Sequence, residues 1–146
     1  MTGMTKWLVS VLILGAMIGC SDEVETSDRD LRILERGALF EQMHLEKAVL
    51  VDVRPLRYYQ AGHIPGAIHM PLNHMRSLDP RLTGNKTIVV YAAGWNDPLS
   101  TAGVKRLISL GYYDVFDYKG GVQDWRDAGR VLTTGRLDAG RAETED

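Results

Sequence analysis

A chain of 146 residues has room for one domain with a proper core and not for two of ordinary size. With 45% hydrophobic and 25% charged residues the composition is that of a globular protein, and a net charge of −2 supplies no basic field for nucleic acid. The one cysteine, Cys20, excludes an internal disulfide, a thiolate metal cluster and a redox pair.

Residues 1–19 carry one cation, Lys6, and an apolar run from Trp7 to Ile18, which suits the core of an export signal and is short for a membrane span. The end of that run, Met17-Ile18-Gly19-Cys20-Ser21, resembles a bacterial lipobox. The resemblance implies that Cys20 carries the lipid and becomes the mature N-terminus. The expectation is an exported protein, anchored to the bacterial cell envelope and periplasm-facing in a Gram-negative cell. Residues 20–27 then read as a tether with three acids, Asp22, Glu23 and Glu25, which anionic headgroups repel.

Ser27 is placed to cap a helix that holds Asp28 and Asp30 in its first turn, turns Leu31 and Leu34 inward and ends near Gly37. Residues 38–47 admit a second short helix, with Leu39, Phe40, Met43 and Leu45 against a sheet edge. The run Ala48–Asp52 predicts a buried strand with Asp52 at its carboxyl end, where open α/β sheets keep their clefts. Asp52 and Arg54 read as a structural ion pair that fixes the following turn. Residues 55–61 predict a short helix closed by Gly62, and His63-Ile64-Pro65-Gly66 a turn in which the His63 ring bonds the backbone. Another short helix over 71–78 and a loop over 79–86 follow. His44, His63, His69 and His74 show no metal-ligand spacing, so no metal is expected.

Thr87–Tyr91 predicts a strand covered on both faces. Asp97-Pro98 reads as a helix cap followed by proline at the first helical position, and Gly111 as the stop. Leu99, Gly103, Leu107 and Leu110 form one stripe, with Val104 and Ile108 beside it, that can cover the sheet. Between strand and helix lie Ala92, Ala93, Gly94, Trp95 and Asn96, at a place where backbone amides and the helix dipole favour an anion. A strand over 112–118, a helix opened by Gly120-Gly121 with Trp125 buried and ended by Gly129, and a polar, disordered tail over 133–146 complete the reading.

Three motifs stand in register: Asp52-Val53-Arg54 with Gly62-His63-Ile64-Pro65-Gly66-Ala67, then the loop of residues 92–97, then Gly120-Gly121-Val122-Gln123-Asp124-Trp125 with Ala128-Gly129. In this order they resemble the rhodanese-like (sulfurtransferase-homology) domain over about residues 28–132. The resemblance implies a single doubly wound α/β domain, with a mostly parallel sheet and helices on both faces. It also implies that the position of Ala92 belongs to a persulfide-carrying cysteine, that of Asp97 to a second cysteine in some members, and that of Tyr58 to an acid facing Arg54. Sulfur transfer of this type needs a thiolate, and phosphatases of the same fold use the same missing cysteine.

The expectation is therefore a catalytically degenerate, membrane-anchored binding or scaffolding module with no cofactor, no nucleic acid and at most weak binding of a small anion. Asp97 is expected to use the donors an anion would need. Trp95 either folds over the pocket or stands out as an anchor for a protein partner. The competing expectation is sulfur transfer or sulfur carriage through a partner's cysteine or another nucleophile.

Overall fold

The computed structural model describes residues 31–84 and 86–135. The expected signal, Cys20, the tether and most of the expected tail lie outside the described residues. Four strands form one sheet: β1 (Ala48–Asp52), β2 (Ile68–His69), β3 (Thr87–Tyr91) and β4 (Val115–Tyr118), in the order β2-β1-β3-β4. All three pairings are parallel, with Asp52 level with Tyr91 and Tyr91 level with Tyr118. The expected mostly parallel sheet is thus wholly parallel among the described residues.

Parallel strands need cover on both faces, and the alternation along β1 and β3 supplies it. Val51, Ile88 and Val90 pack with Met70, Met75, Val104 and Leu107, which puts α3 (Leu99–Ser109) on that face. Leu50, Val89 and Tyr91 point the other way, toward Leu39 of α1 (Arg36–His44) and Val122 and Trp125 of α4 (Gly121–Asp127). Gly103 lets α3 sit close on the sheet, since a Cβ there would lie 2.9 Å from Val90 Cγ1. The buried side of α3 is Ser100, Gly103, Val104 and Leu107. Leu99 and Leu110 are only partly covered, so the helix is turned slightly from the expected stripe.

The strands, the helix α2 (Leu56–Ala61) closed by Gly62, the stop at Gly111 and the helix ended near Gly129 stand where the sequence puts them. Three expectations fail. Residues 31–35 are not helical. Instead Ile33 pairs in parallel with Asp117, whose N–H donates to Arg32 O (2.8 Å) while Leu34 N–H donates to Asp117 O (3.0 Å). This short extended piece covers the open edge of β4, a tertiary demand that overrides local helix signals. The first helix starts only at Arg36 and runs through Gly37, the expected stop.

Over residues 71–78 there is a single 3₁₀ turn, Leu72–His74, because the chain must bury Met75 and then turn at Leu78, whose φ is +55°. The boundary at 132/133 also moves. Thr133 and His63 exchange two backbone hydrogen bonds of 2.9 Å, and Gly135 N–H donates to Gln60 O at 3.1 Å, so the chain is pinned through Gly135.

Candidate functional site

The chain leaves β1 toward β2 and leaves β3 toward β4, in opposite directions from two adjacent strands. At such a switch point the connections part and a crevice opens beyond the carboxyl ends of the strands. Its walls are the turn after β1, residues 92–97 after β3, and the first turn of α4.

The turn after β1 is built on a buried ion pair. Asp52 is fully buried, and Arg54 gives it Nη2–Oδ2 at 2.6 Å, Nε–Oδ1 at 2.9 Å and its own backbone N–H at 3.0 Å. The remaining Nη2 bond goes to Gly62 O at 2.8 Å, which ties the end of α2 to β1. Burial works against the guanidinium charge, but the hydrogen bonds and charge of Asp52 outweigh it and hold the Arg54 pKa above its ordinary value. Tyr58, where the resemblance implies an acid facing Arg54, is half-exposed and its hydroxyl accepts from Arg57. His63 lies in the turn with Nδ1 2.9 Å from Tyr59 O and its ring stacked on Tyr59 at 3.8 Å.

The loop after β3 is clamped from α4. Val122 N–H donates to Ala92 O (3.1 Å) and Gln123 N–H to Ala93 O (2.9 Å). Gly121 holds φ +56° there, and a Cβ on it would collide with Ala92 O, so this approach of helix to loop admits only glycine. Trp125 anchors α4 as a packing residue: it is buried, meets Phe40 edge-on at 5.3 Å and donates its indole N–H to Val131 O at 3.0 Å.

Within the loop the Ala92 methyl is buried. Asp97 is part-buried, and its carboxylate reaches across the loop. Oδ1 accepts from Leu99 N–H (3.0 Å), as a helix cap does, and Oδ2 accepts from Ala93 N–H (3.2 Å). The first intrahelical bond runs to Pro98 O, and Pro98 already has helical dihedral angles, so α3 starts within a residue of the expected place. The cap was legible; the second bond, to Ala93, was not. Asp97 N–H donates to Gly94 O, while the amides of Gly94, Trp95 and Asn96 find no acceptor among the described residues. Trp95 stands out, 54% exposed, rather than folding over the crevice.

Beside the loop lies a pocket of about 270 Å³ lined by Arg54, Tyr58, Ala93, Gln123 and Arg126, among others. The sequence reading missed Gln123 and Arg126, although their spacing of one helical turn past Gly120-Gly121 puts both on one side of α4. It also missed a polar cluster joining α3 to β4. Thr101 O–H donates to the buried Asp117 Oδ2 (2.8 Å), and Lys119 Nζ donates to Thr101 Oγ1 (2.6 Å). Thr101 lies outside the lining of this pocket, and its oxygen is already engaged by the ammonium. Among the described residues no group of three His, Cys, Asp or Glu converges on a metal-sized site.

Residues 36–128 match the family model described as the rhodanese-like domain. The chain belongs to that family. The thiosulfate sulfurtransferase GlpE of Pseudomonas savastanoi pv. phaseolicola is 33% identical over 79 residues, which cover 54% of this chain and 73% of GlpE. An HTH-type transcriptional regulator of Mycobacterium tuberculosis is 34% identical over 102 residues, 70% of this chain and 45% of the regulator. The chain thus spans less than half the length of that relative. The BH2092 protein of Bacillus halodurans has a similar structure, with a TM-score of 0.64, 26% identity, and 70% of this chain and 77% of that one covered. A rhodanese-like domain accordingly carries the crevice, with the Ala92 methyl and the Asp97 carboxylate in its loop.

Proposed function

We propose that this rhodanese-like domain performs no persulfide chemistry of its own and acts as a binding or scaffolding module, held at the bacterial cell envelope by a lipid on Cys20. The observation that carries the reading is the content of the loop: the buried Ala92 methyl, with the Asp97 carboxylate on the amides of Ala93 and Leu99. Persulfide transfer begins with a thiolate attacking a sulfur donor, and alanine offers neither the attacking electron pair nor a site to hold the transferred sulfur. A second anion approaching the loop meets a repulsion of order 1 kcal/mol or more from Asp97 in this part-wet site. The hydroxyl of Thr101 is bound between Asp117 and Lys119. The activity named for the Pseudomonas relative therefore does not carry over.

The loop retains a surface suited to binding. Trp95 projects from it beside unpaired amides, and tryptophan is enriched among the residues that dominate protein interfaces. The export-signal pattern ending in Cys20 supports the anchored location.

A thiosulfate:cyanide assay on the mature chain tests the reading. No turnover above a denatured control is expected, and turnover by the unaltered chain overturns it. Ala92→Cys is expected to take up the mass of one sulfur atom after thiosulfate treatment. Cys20→Ala is expected to leave the membrane fraction of expressing cells, and retention there removes the anchor from the proposal.

A further inference from the structure

The pole of the sheet opposite the loop exposes what a soluble surface ordinarily hides. There α3 ends, β3 and β4 begin, and a cleft of about 540 Å³ opens, lined in part by Arg32, Leu78, Lys86, Tyr112 and Tyr113. At its rim Leu78 is 85% and Tyr113 87% exposed. Leu78 holds φ +55°, a conformation that costs a leucine more than a glycine or asparagine. The Tyr112 hydroxyl pins the turn on both sides of it, accepting from Asp79 N–H (2.8 Å) and donating to Arg76 O (3.0 Å). An apolar side chain is thus fixed outward on a strained, braced turn, which points to use rather than accident.

The charge at this pole is positive in a chain whose net charge is −2. Its acids are committed: Asp79 to Arg81 at 2.7 Å and Asp114 to Arg32 at 3.0 Å. Lys86 and, in the last turn of α3, Arg106 form no ion pair among the described residues, and Arg76 forms none either but adds its charge near the Asp79 carboxylate that Arg81 already holds. Glu46 and Lys47, ahead of β1, offset each other. The chain also enters here, because Arg32 bonds Asp114 and Tyr113 O just ahead of β4. From Cys20 to that entry, residues 20–30 reach at most roughly 35–40 Å. Five of those residues are acidic, Asp22, Glu23, Glu25, Asp28 and Asp30, against one cation, Arg29, so an anionic membrane repels the tether and leaves the contact to the domain.

We propose that this pole docks on an anionic bilayer, with Leu78 and Tyr113 entering the headgroup region and Arg76 and Lys86 against lipid phosphates. The inference rests on the envelope-anchored reading of Cys20. An exposed aliphatic and an amphipathic aromatic side chain ringed by cations is the composition that binds at the headgroup boundary. The loop of residues 92–97 lies beyond the other end of the strands, about 16 Å of β3 away, and faces away from the membrane. Trp95 is then presented to soluble partners.

The test couples the Cys20 thiol of the mature chain to maleimide lipid in phosphatidylglycerol vesicles, or in vesicles of phosphatidylcholine alone, and follows amide hydrogen exchange. Exchange over residues 76–84 and 110–114 is expected to slow several-fold on phosphatidylglycerol only, with residues 92–97 unchanged. Leu78→Ser with Tyr113→Ser, both at exposed positions, is expected to abolish the slowing. Arg76→Gln with Lys86→Gln is expected to weaken binding of the uncoupled chain to phosphatidylglycerol vesicles by about 25-fold, about fivefold for each cation near such a surface. The proposal is overturned by no slowing, or by slowing at residues 92–97 instead. It is equally overturned by protection without vesicles that vanishes on deletion of residues 21–30, which makes the tether the occupant, or that grows with protein concentration, which makes it a second copy. Chemical coupling makes these outcomes independent of lipidation in the cell, which Cys20→Ala fractionation decides separately.

Discussion

Two aspartates stand at the carboxyl ends of neighbouring strands and have unlike surroundings. Asp52, the last residue of β1, is fully buried and faces the guanidinium of Arg54. Asp97, six residues past the end of β3, is part-buried and takes its hydrogen bonds among the described residues from backbone N–H groups, those of Ala93 and Leu99, with the Arg54 charge acting on it only at longer range. A buried charge pair is costly to break from one side, whereas a part-wet carboxylate on amides is cheap to remove. The frame of the crevice thus depends on one carboxylate, while the other occupies space that the frame would otherwise offer to an anion. On the proposed reading, the site keeps its architecture without performing sulfur chemistry.

The largest effect is expected where the frame is cut. Asp52→Ala leaves Arg54 buried without its counter-charge and is expected to cost about 3–5 kcal/mol in chemical denaturation. Asp52→Ala combined with Arg54→Met should recover much of that loss, because no orphaned charge remains. A single-variant cost under about 1 kcal/mol would put Asp52 in the same class as Asp97 and erase the contrast.

The same frame sets an alkaline limit. Burial first, and then the charge of Asp52, hold the Tyr91 phenol well above its ordinary range, while its oxygen accepts from Ile64 N–H at 3.1 Å. The unfolded chain releases that proton near pH ~10, whereas the folded chain keeps it. Stability is therefore fully present below that pH and falls as pH rises toward the raised folded value, by about 1.4 kcal/mol per unit for this one group. Denaturant midpoints measured from pH 8 upward check the slope. In Tyr91→Phe the steepness is expected to diminish, although the variant starts less stable for want of the Ile64 bond.

The contrast also marks what the sequence carried. Ala48–Asp52 and Thr87–Tyr91 were legible because strands covered on both faces must be continuous and apolar, and α3 and α4 because Gly111 and Gly129 punctuate them. The Asp52–Arg54 pair and the Asp97 cap were legible because both act within two residues along the chain. Residues 31–35 misled, since Ile33 answers to the edge of β4, more than eighty residues away, rather than to its neighbours. Remoteness in sequence also hid the bond between Thr101 and Lys119 and the company that Arg126 keeps with Arg54 in the pocket. Local grammar fixed the elements, whereas the lining of the crevice is a product of the fold.

The smallest expected effect on stability is at Asp97, and it is the most informative about function. Asp97→Ala removes one cap bond and one bond across the loop and is expected to cost about 1 kcal/mol. It also frees the amides of Ala93 and Leu99 and removes a negative charge at contact distance. Thiosulfate or sulfate should then bind about tenfold more tightly than to the unaltered chain, from roughly 1.4 kcal/mol of relieved repulsion and regained donors. Amide shifts of residues 93 and 99 in a titration read this directly. The consequence extends to the thiol: Ala92→Cys with Asp97→Ala should load a persulfide faster than Ala92→Cys alone, because the freed amides can stabilise the thiolate. If the two load equally, Asp97 is a helix cap and nothing more, and the proposed inertness toward sulfur rests on the Ala92 methyl alone.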